Sequence, residues 1–125
     1  FKINPALIVA PEYKIIIKGE KIMKFEKIYI EVGHWPKHGE PSVEEIEFDG
    51  RLIGFESITR DGLPSDSWRV YITSDGKFIL NYRRDGEREG DTSEIVKVDS
   101  LDDLYHVNHV YGKVIDKAKK FLEEN

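Results

Sequence analysis

The residues best placed to do chemistry lie in the stretch RRDGEREGDTSE, residues 83–94, where Asp85, Glu87, Glu89 and Asp91 fall at every second position and Gly90 sits among them. A calcium loop of the helix–loop–helix type needs side-chain oxygens at loop positions one, three and five, glycine at six and a bidentate glutamate at twelve. Counted from Asp85, the first four requirements are met, but position twelve is Val96, which has no ligating atom. A strand pattern, not a helix, precedes the stretch. Arg83, Arg84 and Arg88 are expected to compensate the carboxylates from within, so the stretch reads as the solvated tip of a hairpin, and no metal is assigned to it.

The four histidines form two short pairs, His34 with His38 and His106 with His109. Together with Glu40 they could in principle supply a metal's nitrogen and oxygen ligands. On a helix, however, His106 and His109 project from the polar face with Lys113 between them, where a second cation is repelled. They read as solvated side chains. His34 and His38 flank Trp35, Pro36 and Lys37 in a segment rich in Pro and Gly. Trp35 is a costly residue to leave in water, so it is expected to fold back over the sheet edge. The alternative is contact with a ligand or partner, with His34, His38 and Glu40 as its polar neighbours.

Signatures of catalysis are missing. The chain has no glycine-rich phosphate loop, no His-Glu-x-x-His and no Gly-x-Ser-x-Gly elbow. It has no cysteine, which removes thiolate ligands, thiol nucleophiles and disulfides, and which fits a reducing compartment. No catalytic residue and no cofactor is assigned.

The elements that must position these groups follow from the hydrophobic pattern. YKIIIKG (13–19) and FEKIYIEVG (25–33) read as strands, with Ile28, Ile30 and Val32 on one face and Lys27, Tyr29 and Glu31 on the other. VEEIEFDGRLIGFESI (43–58) reads as a hairpin turning at Asp49-Gly50, with Ile46 opposite Ile53 and Phe48 and Phe55 on the same face. In WRVYITSDGKFILNY (68–82) the pattern selects a three-residue turn with Gly76 left-handed. That register pairs Trp68 with Tyr82, Val70 with Leu80 and Ile72 with Phe78, gathering the large apolar groups on one side. Tyr71 and Ile79, with Tyr29, then share the other face, alongside Arg69, Thr73 and Asn81. Either the N-terminal strands cover that face or it is a docking or dimer surface. EIVKVD (94–99) is a further strand, and 33–42 and 59–67 read as surface loops.

Residues 100–125 read as a helix, capped by Ser100 with Asp103 and carrying an apolar stripe that includes Leu104, Val107, Tyr111, Val114, Ile115, Ala118, Phe121 and Leu122. Gly112 weakens it by roughly 1 kcal/mol and marks a place for a break. The expected fold is α+β. It is a single domain over 1–125, with an antiparallel sheet of about five to seven strands joined in hairpins and the C-terminal amphipathic helix packed on one face.

Charge and composition narrow the partners. The net charge is −5, divided as +3 over residues 1–38 and −8 over the rest. Lysines 14, 18, 21, 24 and 27 are interleaved with Tyr13, Phe25 and Tyr29, as in nucleic-acid grooves, but Glu12, Glu20, Glu26 and Glu31 cancel most of that field. No apolar run approaches a membrane span and no signal-peptide pattern opens the chain, so a soluble, cytoplasmic protein is expected.

FDGRLIG (48–54), RVYITSDGKFILNYRR (69–84) and VDSLDDL (98–104) resemble, in that order, the small bacterial proteins called the EXLDI family. The resemblance covers roughly residues 28–104 and rests on turns and core positions. It implies the same fold and a prokaryotic source, and it carries over no functional residue. Residues 1–24 match nothing in that family, and its name-giving pentapeptide is absent. The leading expectation is a non-enzymatic binding or regulatory module that meets a protein partner or a second copy of itself, using Tyr29, Tyr71 and the His34–Glu40 loop. The alternative is a small-molecule-binding domain or enzyme with a pocket between helix and sheet near His34, His38 and Glu40. The third reading is weak nucleic-acid binding by the basic N-terminal strands.

Overall fold

The computed structural model describes residues 2–3, 14–17, 21–60, 63–86 and 90–124, with side chains over 23–59, 65–86 and 90–124. The architecture is α+β: an antiparallel sheet with a C-terminal helix against it. Three short strands, β1 (Lys2–Ile3), β2 (Lys14–Ile17) and β3 (Lys21–Lys24), form an antiparallel ladder in chain order. Five longer strands follow: β4 (Glu26–Trp35), β5 (Ser42–Arg60), β6 (Leu63–Thr73), β7 (Phe78–Gly86) and β8 (Gly90–Val98). Each pairs antiparallel with the next, and β4 also pairs with β8, so the sheet closes into a barrel. A 3₁₀ helix (Leu101–His106) and α1 (Gly112–Glu124) complete the chain. Among the described residues no helix is long and apolar enough to cross a membrane.

The β6–β7 hairpin has the register that its apolar pattern demands. Trp68 pairs with Tyr82, Val70 with Leu80 and Ile72 with Phe78. Gly76 has φ +84, and the turn closes through Thr73 N–H to Lys77 O at 2.9 Å. Because side chains alternate along a strand, the two faces of this hairpin serve two cores. The even positions form the larger core with Phe25, Ile53, Leu101, Leu104, Val114, Ile115 and Ala118, outside the barrel and beneath the helical segment. Tyr71 and Ile79 point the other way, into the lumen, where they meet Ile30, Ile28, Val32, Phe48 and Ile95 from the other strands.

Three expectations are corrected. Asp49-Gly50 is no hairpin turn, because β5 runs through it without a break. Asp49 pairs with Lys27, and Gly50 pairs with both Glu26 and Thr73. A Cβ at Gly50 would stand 2.7 Å from the Phe48 ring and 3.0 Å from Ile72 O, so the glycine serves close strand approach where β5 passes from β4 to β6. Residues 59–67 are not a free loop: apart from 61–62, which lie outside the described residues, they continue β5 and β6, with an irregularity in register between Ile58 and Thr59. The C-terminal helix is not continuous. Ser100 does cap, its Oγ accepting from Asp102 N–H at 3.3 Å, but the element it starts is the short 3₁₀ helix. The chain then turns through His109, at φ +63, and re-enters a helix at Gly112. The buried Trp68 indole supplies the reason: its Nε1–H donates to His109 O at 2.9 Å, the carbonyl that an unbroken helix would direct to residue 113.

The seam between β4 and β8 is short, consisting of Gly33–Ser93, His34–Thr92 and Trp35–Asp91. Gly90 permits it. Its φ is +89, and a Cβ there would lie 2.0 Å from Trp35 O.

Candidate functional site at the open end of the barrel

The lumen is graded along its length. Its floor is apolar: Ile30, Tyr71 and Ile79 are buried, and Phe48 meets Tyr71 edge-on at 5.4 Å between ring centroids. Burial there pushes the Tyr71 phenol above its ordinary pKa. The next layer is a satisfied polar step. Asn81 and Ser93 are both buried, and Asn81 Nδ2 donates to Ser93 Oγ at 3.0 Å and to Glu94 O at 2.9 Å.

Above that step the lumen opens into a cleft of about 240 Å³. On β6 its wall carries Ser65, Asp66, Ser67 and Arg69. Across from these stand Arg83, Arg84 and Asp85 on β7 and Asp91 on β8. The hairpin register fixes the layout: Ser67 faces Arg83, Arg69 faces Asn81, and Asp85 faces Asp91. All six arginines of the chain fall between residues 51 and 88, and three of them, Arg69, Arg83 and Arg84, line the cleft.

The charged groups divide into engaged and available ones. Asp66 Oδ1 accepts from Tyr82 OH at 3.2 Å. Asp85 stands opposite Asp91, and sharing a proton with that carboxyl, together with the repulsion between the two once both ionise, raises the Asp85 carboxyl above its ordinary pKa. The expected compensation within the hairpin tip rests partly on Arg88, Glu87 and Glu89, which lie outside the described residues. Among the described residues neither Arg69 nor Arg83 joins an ion pair. Each guanidinium instead lies over an aromatic ring, Arg69 over Phe55 at 4.8 Å from the centroid and Arg83 over Trp35 at 5.5 Å. Such contacts contribute about 0.5–2 kcal/mol each and fix the long side chains.

The six residues singled out in the sequence are scattered. Trp35 is half-buried at the barrel mouth beneath Arg83, and Tyr71 is in the lumen floor. Tyr29 is on the outside of β4, 58% exposed, so it shares no face with Tyr71. His34 sits in the seam between Ser42 and Thr92. His38 and Glu40 are exposed in the turn between β4 and β5. The seam between helix and sheet, where a pocket had been expected, holds the larger core. His109 is not on a helix face; its ring stacks on Tyr82 with centroids 5.7 Å apart. In the acid-rich hairpin tip, residues 87–89 lie outside the described residues. Among those described, no group of three potential metal ligands converges.

Sequence reasoning placed Arg69 on the correct face but gave it no role, because its significance depends on a ring, Phe55, contributed by another strand. The confinement of every arginine to the middle of the chain was the available signal. No family model matches the chain, and neither does any curated protein or solved structure.

Proposed function

We propose that this protein is a non-enzymatic binding module that takes an extended, acidic segment of a partner protein across the open end of its barrel. The observation that carries the reading is the pair of ring-backed arginines, Arg69 and Arg83, facing a cleft with no ion-pair partner among the described residues. Beside them β5 offers apolar footing: Leu52 and Phe55, which pair with Tyr71 and Arg69, are 40% and 41% exposed. This half of β5 pairs with β6 on one side, and on the other α1 reaches it through Lys117, whose Nζ donates to Phe55 O at 3.3 Å. Apolar pockets with a few placed charges beside a strand suit extended peptides.

The cleft is smaller than the roughly 300–1,000 Å³ that holds a whole small-molecule ligand. It suits one anionic side chain better. Among the described residues no histidine lines it, so the imidazole-activated nucleophile of acyl transfer has no counterpart there. Nucleic-acid binding by the N-terminal strands has less support, since Lys27 is paired with Glu47 at 3.1 Å and with Asp49 at 3.6 Å. A cysteine-free chain suits work in a reducing cytoplasm.

Selection from a random-peptide display library tests the reading. Enriched peptides should lose binding when Ser67→Trp fills the cleft and should keep it when Tyr29→Ala trims the opposite side of the barrel. Enrichment of nothing, or of peptides indifferent to Ser67→Trp, overturns it.

A further inference from the structure

We infer that Arg69 and Arg83 together form an oxyanion site that holds a carboxylate or phosphate group carried by the bound segment. This rests on the open end of the barrel being the recognition surface, and it names the chemistry recognised there.

The two arginines lie on adjacent strands and on the same face, offset by one pair: Arg83 faces Ser67, and Arg69 faces Asn81. They are therefore diagonal neighbours, close enough for long side chains to meet over the cleft. Like charges so placed repel each other unless an anion lies between them. Of the carboxylates lining the cleft, Asp66 accepts from the Tyr82 hydroxyl, and Asp85 and Asp91 face each other on the β7–β8 ladder without an ion pair to Arg69 or Arg83 among the described residues. Each guanidinium contacts its ring without an ion pair among the described residues, and its N–H edge matches the two oxygens of a carboxylate or phosphate. Ser67, across from Arg83, adds a hydroxyl donor to the same wall. Ser65 is less free, because its Oγ already donates to Ile58 O at 3.3 Å.

The test follows arginine Nε–Hε resonances of the full chain by NMR while inorganic phosphate, and separately acetate, is added. Saturable shifts at Arg69 and Arg83 are expected. Arg69→Met and Arg83→Met should each weaken phosphate by about tenfold, the loss of one charge-assisted hydrogen bond. Arg83→Lys, which keeps the charge but not the fork, should weaken it too. Arg51→Met makes the same change in net charge under the Phe121 ring of α1 and should leave the affinity within about twofold, since distant charges are screened. Failure to saturate, or an equal loss in Arg51→Met, overturns the site. Stronger binding of phosphate than acetate assigns the site to phosphorylated side chains, and the reverse assigns it to Asp or Glu. Phosphate binding at the arginines with no peptide enriched would keep the oxyanion site and overturn the protein-binding reading. Peptides that bind at the mouth equally well after their acidic residues are changed to amides would do the opposite.

Discussion

The indole of Trp68 hydrogen-bonds the backbone carbonyl of His109 at 2.9 Å, joining the middle of a barrel strand to the turn that divides the C-terminal segment. Around that bond the Trp68 ring stacks on Tyr82 at 5.3 Å and leans on Tyr111 at 5.0 Å. Trp68→Phe keeps an aromatic ring but gives up the donor. It should lower the unfolding free energy by about 1–2 kcal/mol, seen as a lower urea midpoint. Trp35→Phe, by comparison, should have a smaller effect, because Trp35 is only half-buried.

Two glycines separate a steric effect from a conformational one. At Gly54 an added Cβ would stand 2.7 Å from Val114 O, pressing on α1, so Gly54→Ala should cost about 1–3 kcal/mol. Gly90→Ala meets both a carbonyl at 2.0 Å and a left-handed φ, and should cost about 3–5 kcal/mol. Urea unfolding measures both. Hydrogen exchange should show the second change opening the amides of residues 33–35 first.

Asn81 and Ser93 provide a test of buried polar satisfaction. Asn81→Ala strands the Ser93 hydroxyl and Glu94 O in the lumen and should cost about 1–3 kcal/mol. The double change Asn81→Leu with Ser93→Ala removes both polar side chains and should recover the share of that loss due to the Ser93 hydroxyl, leaving the share due to Glu94 O. If the double variant is no better than the single one, packing rather than polar satisfaction governs this layer.

The Asp85–Asp91 pair gives stability a pH dependence of known sign. The folded state raises the Asp85 pKa, chiefly through its hydrogen bond to Asp91, so it binds a proton more tightly than the unfolded chain does. The pair's stabilising contribution is full below the ordinary aspartate range and is lost as pH rises through the elevated value. Asp85→Asn should therefore raise Tm at neutral pH and leave it nearly unchanged in strong acid. Thermal melts of both proteins across that range check the prediction, and a rise in Tm that is constant with pH contradicts it.

Much of this fold was legible where local pattern and tertiary need agree. Alternation through Trp68, Val70 and Ile72 against Phe78, Leu80 and Tyr82 left one good register, and the barrel uses it. Legibility failed where a distant residue decides the outcome. Asp49-Gly50 carries strong turn chemistry, yet β4 on one side and β6 on the other hold it extended. The helical stripe beyond Ser100 is regular, yet Trp68 claims a carbonyl in its middle. Closure of the barrel left no local mark, since a buried lumen face and a solvated docking face both alternate; this is why Tyr71 was grouped with Tyr29. Likewise, Arg83 and Trp35 lie far apart in the chain, and only the β4–β8 pairing makes them neighbours.

That pairing spans three residue pairs, against nine between β4 and β5. Trp35 and Asp91, which belong to it, also stand at the rim of the cleft. The clasp and the jaw are thus one piece of the molecule. A guest that wedges the rim apart strains the closure, and one that bridges it tightens the whole cylinder, so grip and rigidity rise or fall together.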